Sequence, residues 1–264
     1  MKRVTNRIIK KIFSQEGTTA AGVSKFTFPR YDLKVRIDDI ILDPDLALTS
    51  WVAFSQLQNH SMMMGDLVLL EDEVDPVMSS LFESGIEVTG LHNHLLHELP
   101  RIMYLHIKGE GDPIKLAQSV RSALALTSTP FKAKQQPQSK INWSLIENIL
   151  GQKGSHKDNV LQLSFPRTTI ISEDGHQLSP AMGISHSINF QSVGEKVAAT
   201  GDFVLLANEV NPVANILKKN NIAVTAIHNH MLTEMPRLFF MHFWAVDEPE
   251  HIAHTLRSAL DLAK

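Results

Sequence analysis

Residues 92–101 read HNHLLHELPR and residues 228–237 read HNHMLTEMPR. Each stretch sets two histidines one residue apart, a glutamate four residues beyond the second, and an arginine after a proline. A further histidine follows at 106 and at 242. Imidazole nitrogens and carboxylate oxygens are the donors that first-row divalent ions take when thiolates are missing, and this chain has no cysteine. Residues two apart on a strand share a face, so a strand would put His92 and His94 together. If Leu95 pairs with Arg101 across a tight connection, His92 lies opposite Tyr104 and His106 lies diagonal to it, within reach of a shared ligand. The expected metal ligands are therefore His92, His94 and His106 in one copy and His228, His230 and His242 in the other. Glu98 and Glu234 are the expected catalytic groups, as fourth ligand or general base. Arg101 and Arg237, with Asn93 and Asn229, are the expected ligand-binding groups, the arginines as anion clamps. The cofactor this predicts is a divalent transition metal, with zinc the first choice.

The two copies sort their own candidates. Between 88–106 and 224–242, 10 of 19 positions are identical, including the three histidines, the glutamate, the asparagine, the proline and the arginine. His97 is replaced by Thr233, and His60 and His186 face Lys196 and Ser50 in the other copy, so these three are set aside. A purely structural alternative stands beside the metal reading. Histidines and an asparagine next to a turn can satisfy backbone groups in a buried hairpin, and Glu98 with Arg101 can be an ion pair.

The likeness extends far beyond the hairpin. FTFPR (26–30) matches LSFPR (163–167), GDLVLLEDEVDPV (65–77) matches GDFVLLANEVNPV (201–213), and RSALALT (121–127) matches RSALDLA (257–263), at an offset of 136 or 137 residues. Within each repeat, GDLVLL reads as a short apolar strand behind a Gly-Asp turn. EVDPVMSSLFESG reads as a helix with Asp75 as N-cap, Pro76 at its first position and Gly85 past its end; Asn211 and Pro212 offer the same roles in the second copy. Strands follow over 86–94 and 101–108, then a helix from about Pro113 with Leu116, Val120 and Leu124 on one stripe. The predicted fold is α+β: a tandem duplication, each repeat with a mainly antiparallel sheet and helices in strand-helix-strand-strand-helix order, the two related by a pseudo-twofold axis. The expected domains are a first repeat over 1–127, a linker over 128–142 (STPFKAKQQPQSKIN from residue 128) and a second repeat over 143–264. The basic start, MKRVTNRIIKKIFSQEG, aligns with a segment inside the second repeat. It therefore reads as a helix of the first repeat rather than as a signal peptide or an amphipathic membrane helix.

The bulk numbers narrow the partners. A net charge of −3 with 20% charged residues gives no basic footprint for nucleic acid, and the letters HNH do not make the nuclease finger of that name. No stretch approaches the roughly 18 apolar residues of a membrane span. A small molecule is the expected partner. The string His-x-His-x₃-Glu is similar to the first metal motif of cupins, but the glycine of that motif and its second half are missing. The longer strings, MGDLVLLEDEVDPV and IEVTGLHNHLLHELPRIMYLHIKGEGDPIKLA with their second copies, resemble the LppY/LpqO family, bacterial proteins of unknown function. Some members of that family are exported lipoproteins. This chain lacks the lipobox cysteine, so a cytoplasmic location is expected instead. The function expected is divalent-metal binding, with metal-dependent hydrolysis or oxidation of a small molecule as its enzymatic form. A non-catalytic module that binds a small ligand or a partner is the alternative.

Overall fold

The computed structural model describes residues 3–132 and 141–263, so residues 133–140 of the expected linker lie outside the described residues. The first repeat runs α1 (Arg3–Phe13), β1 (Thr18–Ala20), β2 (Val23–Pro29), β3 (Arg36–Ile37), β4 (Ile40–Ile41), α2 (Pro44–Ala47), β5 (Thr49–Gln56), β6 (Ser61–Leu70), α3 (Glu71–Glu83), β7 (Glu87–His92), β8 (Ile102–Gly111) and α4 (Pro113–Leu124). The second runs α5 (Ser144–Leu150), β9 (Ser155–Lys157), β10 (Val160–Pro166), β11 (Ser172–Glu173), β12 (His176–Gln177), a 3₁₀ turn, β13 (Ser185–Val193), β14 (Lys196–Leu205), α6 (Ala207–Lys219), β15 (Ala223–His228), β16 (Phe239–Asp247) and α7 (Pro249–Leu262). Each repeat folds into a six-stranded sheet, ordered β1-β2-β5-β6-β8-β7 and β15-β16-β14-β13-β10-β9. Every pairing within these two sheets is antiparallel.

Alternation along the strands decides what each face meets. In the first sheet Phe26, Phe28, Val52, Phe54, Leu67, Leu69, Leu105 and Ile107 point to one side, where they bury Ile9 and Phe13 of α1 and the stripe Leu116, Val120 and Leu124 of α4. That apolar face of α1 is therefore covered by its own repeat. Among the described residues no helix is long and apolar enough to cross a membrane. The opposite face of each sheet meets the other repeat. Val23, Ala53, Met62 and Met64 pack with Ile171, Met182, Val204, Met231 and Phe240, and Leu46, Val68, Leu95, Ile102 and Tyr104 pack with Val160. The layers are helices, sheet, sheet, helices. Strands β6 and β14 are central in this stack and are buried along almost their whole length, as a strand covered on both faces must be.

Two local expectations are corrected. Gly65 and Asp66 form no turn; they lie mid-strand, paired with Val52 and Trp51. Glycine is required there by close approach, because a Cβ on Gly65 would come 2.8 Å from the Trp51 carbonyl oxygen. Helix α3 begins at Glu71, five residues ahead of Pro76. The Asp-Pro start signal is overridden by Glu73, whose Oε2 accepts from the Leu70 amide at 2.9 Å and so satisfies a first-turn donor. Pro76 then lies within the helix. Glu73 also receives both Nη atoms of Arg30, at 2.8 and 3.0 Å, and Arg30 reaches the Val68 carbonyl at 2.7 Å. Arg167 and Glu209 repeat the clamp at 2.8 and 3.0 Å. The repeated Phe-Pro-Arg is thus structural. Gly85 does follow the helix end, at φ +71°.

Candidate metal centre

The hairpin register matches the expected one at its base. His92 pairs with Tyr104, and His106 pairs with Gly90 after a bulge, so His92 and His106 lie diagonally on the face turned toward the second repeat. Their Nε2 atoms are 2.8 Å apart. Strand β7 ends at His92, however, so His94 lies in the connection and not on the strand. It arrives by a bend of the chain, held where the His94 carbonyl accepts from the Thr225 hydroxyl of the second repeat at 2.6 Å. The Thr89 hydroxyl makes the mirror-image bond to the His230 carbonyl at 2.5 Å.

These crossings bring all six histidines together between the sheets. Ring centroids of His92 and His228 are 3.4 Å apart, those of His94 and His242 3.7 Å, and those of His106 and His230 3.6 Å. Each stacked pair takes one ring from each repeat. Tyr104 stacks on His94 at 3.2 Å and Phe240 on His230 at 3.4 Å. The centre is thus shared by the repeats, whereas the sequence suggested a separate set in each.

The carboxylates that reach the imidazoles are Asp66 and Asp202. Donor atoms of Asp66, His94 and His106 lie within 4.8 Å of one another, as do those of Asp202, His230 and His242. Two further sets, His92 with His94 and His242, and His92 with His106, His228 and His230, meet the same limit and join the ends through the middle. Asp66 is paired with His106 across β6 and β8, and Asp202 with His242 across β14 and β16. Glu98 and Glu234 belong to none of these sets. Glu98 accepts from the Ile102 amide at 3.2 Å, and Glu234 accepts from the Leu238 amide at 2.9 Å. Both close the hairpin connection. Asn93 donates to the Ile102 carbonyl at 2.7 Å, and Asn229 to the Met231 carbonyl at 2.9 Å. Arg101 is exposed, and Arg237 folds onto Glu234 at 3.1 Å. His186, set aside earlier, accepts from the Val204 amide at 3.0 Å, as the Ser50 hydroxyl accepts from the Val68 amide at 2.8 Å; both are strand-capping groups.

Hydrogen bonding fixes the tautomers. Nδ1 of His242 donates to the Gly201 carbonyl at 2.9 Å, and Nδ1 of His92 and His228 to the Asn93 and Asn229 carbonyls at 3.2 Å. A carbonyl only accepts, so the proton is on Nδ1 and Nε2 carries its lone pair, the arrangement that orients a metal-binding imidazole. Burial holds the rings neutral. It pushes His92 down to about 4 and His228 down to about 3, and it drives His94, His106, His230 and His242 well below the ordinary value, helped by their imidazole neighbours. The carboxyls move the other way. Burial raises Asp66 to about 7, partly offset by Lys25, and lifts Asp202 well above its ordinary value, with repulsion from Asp66 adding to the effect.

The sequence profile of a family described as Domain of Unknown Function (DUF1259) matches residues 7–126 and again 144–262. The chain belongs to that family. The two matched segments are the two repeats, so the DUF1259 chain carries its family unit twice, and the histidine centre lies where the units meet. No curated protein matches the chain. Two solved structures are similar over much of its length. EtuB from Clostridium kluyveri shares 10% identity over 93% of this chain and 88% of its own, with a TM-score of 0.22. The trimeric bacterial microcompartment shell protein PduB shares 10% identity over 94% and 89%, with a TM-score of 0.23. Scores this low inform neither the fold nor the site of the DUF1259 chain. The residues that sequence reasoning missed, Asp66 and Asp202, did carry a signal. An identical Gly-Asp precedes the same apolar run in both repeats, and an acid inside a run that is otherwise buried needs a partner.

Proposed function

We propose that this protein binds divalent transition-metal ions in the histidine and aspartate cluster between its repeats and uses them on a small molecule. The observation that carries the reading is a set of orphaned donors. The Nε2 atoms of His94, His228, His230 and His242 and the Oδ1 atoms of Asp66 and Asp202 are buried with no hydrogen-bond partner among the described residues. Buried polar atoms are ordinarily paired, and six unpaired atoms converging on one region call for a cation. Two histidines with one aspartate at each end, and two more histidines between, suit zinc or another first-row ion. Zinc is our first choice, because every donor is a neutral imidazole or a carboxylate. A cleft of about 630 Å³ opens onto Asp66, His94, Asp202, His230 and His242, so a ligand can reach the centre.

A bound zinc ion would supply a Lewis acid and a water acidic enough to attack at neutral pH. The chain's own contribution is to hold the imidazoles neutral and aimed, and to shield them behind Tyr104 and Phe240. On this reading the protein is a metal-dependent hydrolase or oxidase of a small molecule. Within the family, we read the chain as one of the LppY/LpqO-like members, a reading that the strings around the two hairpins support.

Purification without a histidine tag or chelator, followed by elemental analysis, tests the metal. One or two ions per chain, lost in the His92→Ala/His94→Ala double variant, is the expected result. Metal-free protein whose double variant still folds would leave the histidines as ligand lining and defeat the reading.

A further inference from the structure

The cleft that opens on the metal centre is not symmetric. Lys25, on β2, enters it with its Nζ 4.1 Å above the Trp51 ring. No hydrogen bond or ion pair within 4.0 Å holds that ammonium among the described residues, and burial pulls it down to about 8, partly countered by Asp66. The pseudo-twofold places Gln162 at the equivalent position of β10 and Ser187 where Trp51 stands. The registers confirm this match, since Trp51 pairs with Asp66 and Ser187 with Asp202. Gln162 uses its amide on the Asp45 carbonyl at 2.6 Å and presents no charge. One end of a duplicated centre therefore carries an ammonium with no bonded partner over an aromatic ring, whereas the cation at the other end, Lys157, is held by Asp45 at 2.8 Å.

Lys25 is half-buried, and an ammonium held partly out of water without a bonded partner favours an anion beside it. Stacking on Trp51 supplies only part of that stabilisation. Asp66 stands outside ion-pair distance and faces the imidazoles. The cleft leaves room beside Lys25 for a ligand that brings a closer counter-charge. We propose that the cleft binds a small molecule by an oxyanion group, a carboxylate or a phosphate, that bridges Lys25 and the metal centre, with Trp51 flanking the rest of the ligand. This rests on the metal reading above and deepens it by naming the ligand class. The cleft's volume is within the range of small-molecule sites, and an ammonium-to-oxyanion bond is among the stronger polar contacts.

Calorimetric titration of succinate, and separately of inorganic phosphate, into the full chain tests it. Each titration is run on zinc-loaded and on chelator-stripped protein, for the wild type, Lys25→Met, Lys25→Gln and Gln162→Met. The expected result is binding of at least one probe to the zinc-loaded wild type, weakened by about 10-fold or more in both Lys25 variants with zinc content unchanged. Gln162→Met should stay within about twofold of the wild type. Preference for succinate marks an organic acid, and preference for phosphate marks a phosphoryl group. Equal binding by wild type and the Lys25 variants, or zinc-loaded wild type that binds neither probe, overturns the inference while the metal reading stands. If no zinc loads, the metal reading falls alone. The stripped protein then decides this point, since Lys25-dependent binding supports it and the lack of such binding overturns it. Lys25→Gln copies the residue that the second repeat already tolerates, so it keeps the test open should Lys25→Met fold poorly.

Discussion

Asp66 and Glu98 are both buried acids close to histidines, and they do different work. Asp66 points an unpaired oxygen toward the imidazoles, whereas Glu98 caps the Ile102 amide. Asp66→Asn should therefore lower the bound metal, since an amide is a poorer ligand than a carboxylate. Glu98→Gln should leave metal content unchanged and cost about 1 kcal/mol of stability, the worth of a weakened buried hydrogen bond. Elemental analysis and urea denaturation of the two variants separate the roles, and loss of metal in Glu98→Gln would reverse the assignment. The six histidines were legible from spacing and from their repetition. The acid was not. A Gly-Asp pair ahead of an apolar run carries the local signature of a turn, and only the pairing with Val52 and Trp51 reveals a strand continuing through it.

The order of elements in each repeat was legible because it follows from local chemistry: apolar runs for strands, Asp112 before Pro113 for the start of α4, and a glycine past the end of α3. The start of α3 was not legible, because its first turn is held by tertiary contacts of Glu73 with Arg30, just past the end of β2 and 43 residues earlier. That clamp should be expensive to break. Arg30 is fully buried, so Arg30→Met would strand the Glu73 carboxylate and cost about 3–5 kcal/mol. The loss should show as a lower urea midpoint with metal content per folded chain unchanged. A second element-level expectation concerns Glu147 in the first turn of α5. It accepts from the Gly154 amide and from Lys153, and these bonds hold it at about 2. A carboxyl so depressed contributes stability that is complete above its ordinary value near 4.5 and is lost as the pH falls toward 2. Glu147→Gln should thus be destabilised at pH 7, with the gap to the wild type closing in that window.

At the scale of the molecule, each repeat has its own core between sheet and helices, while the apolar clusters between the sheets draw on both repeats. The same seam sets the acid response. Seven imidazoles, those of His92, His94, His106, His186, His228, His230 and His242, are depressed. Four carboxyls, Asp66, Asp202, Glu98 and Glu234, are raised. Below 6.5 the unfolded chain protonates the imidazoles while the folded chain does not, so stability falls with falling pH. The raised carboxyls oppose this, but they are fewer. Net stability of the metal-free protein should therefore decline between about pH 6.5 and 4, as thermal unfolding across a pH series would show; a rise over that range would mean the rings are not buried neutral. Metal should oppose the decline, adding about 2.7 kcal/mol at a free concentration 100 times its Kd. The pairing of repeats was legible as a pseudo-twofold, but the interleaving of rings across it was not, because one repeat's sequence says nothing about which of its faces meets the other.

The stacked pairs have a further meaning for how such a site can change. In an assembly of two identical chains, every substitution near the axis is made twice, and each side of the centre must tolerate the other's alteration. A single chain that holds both sides is free of that constraint. Lys25 opposite Gln162, Trp51 opposite Ser187 and Tyr104 opposite Phe240 are differences that a strictly symmetric pair could not hold. Covalent joining of the halves is thus what allows the two ends of this centre to differ.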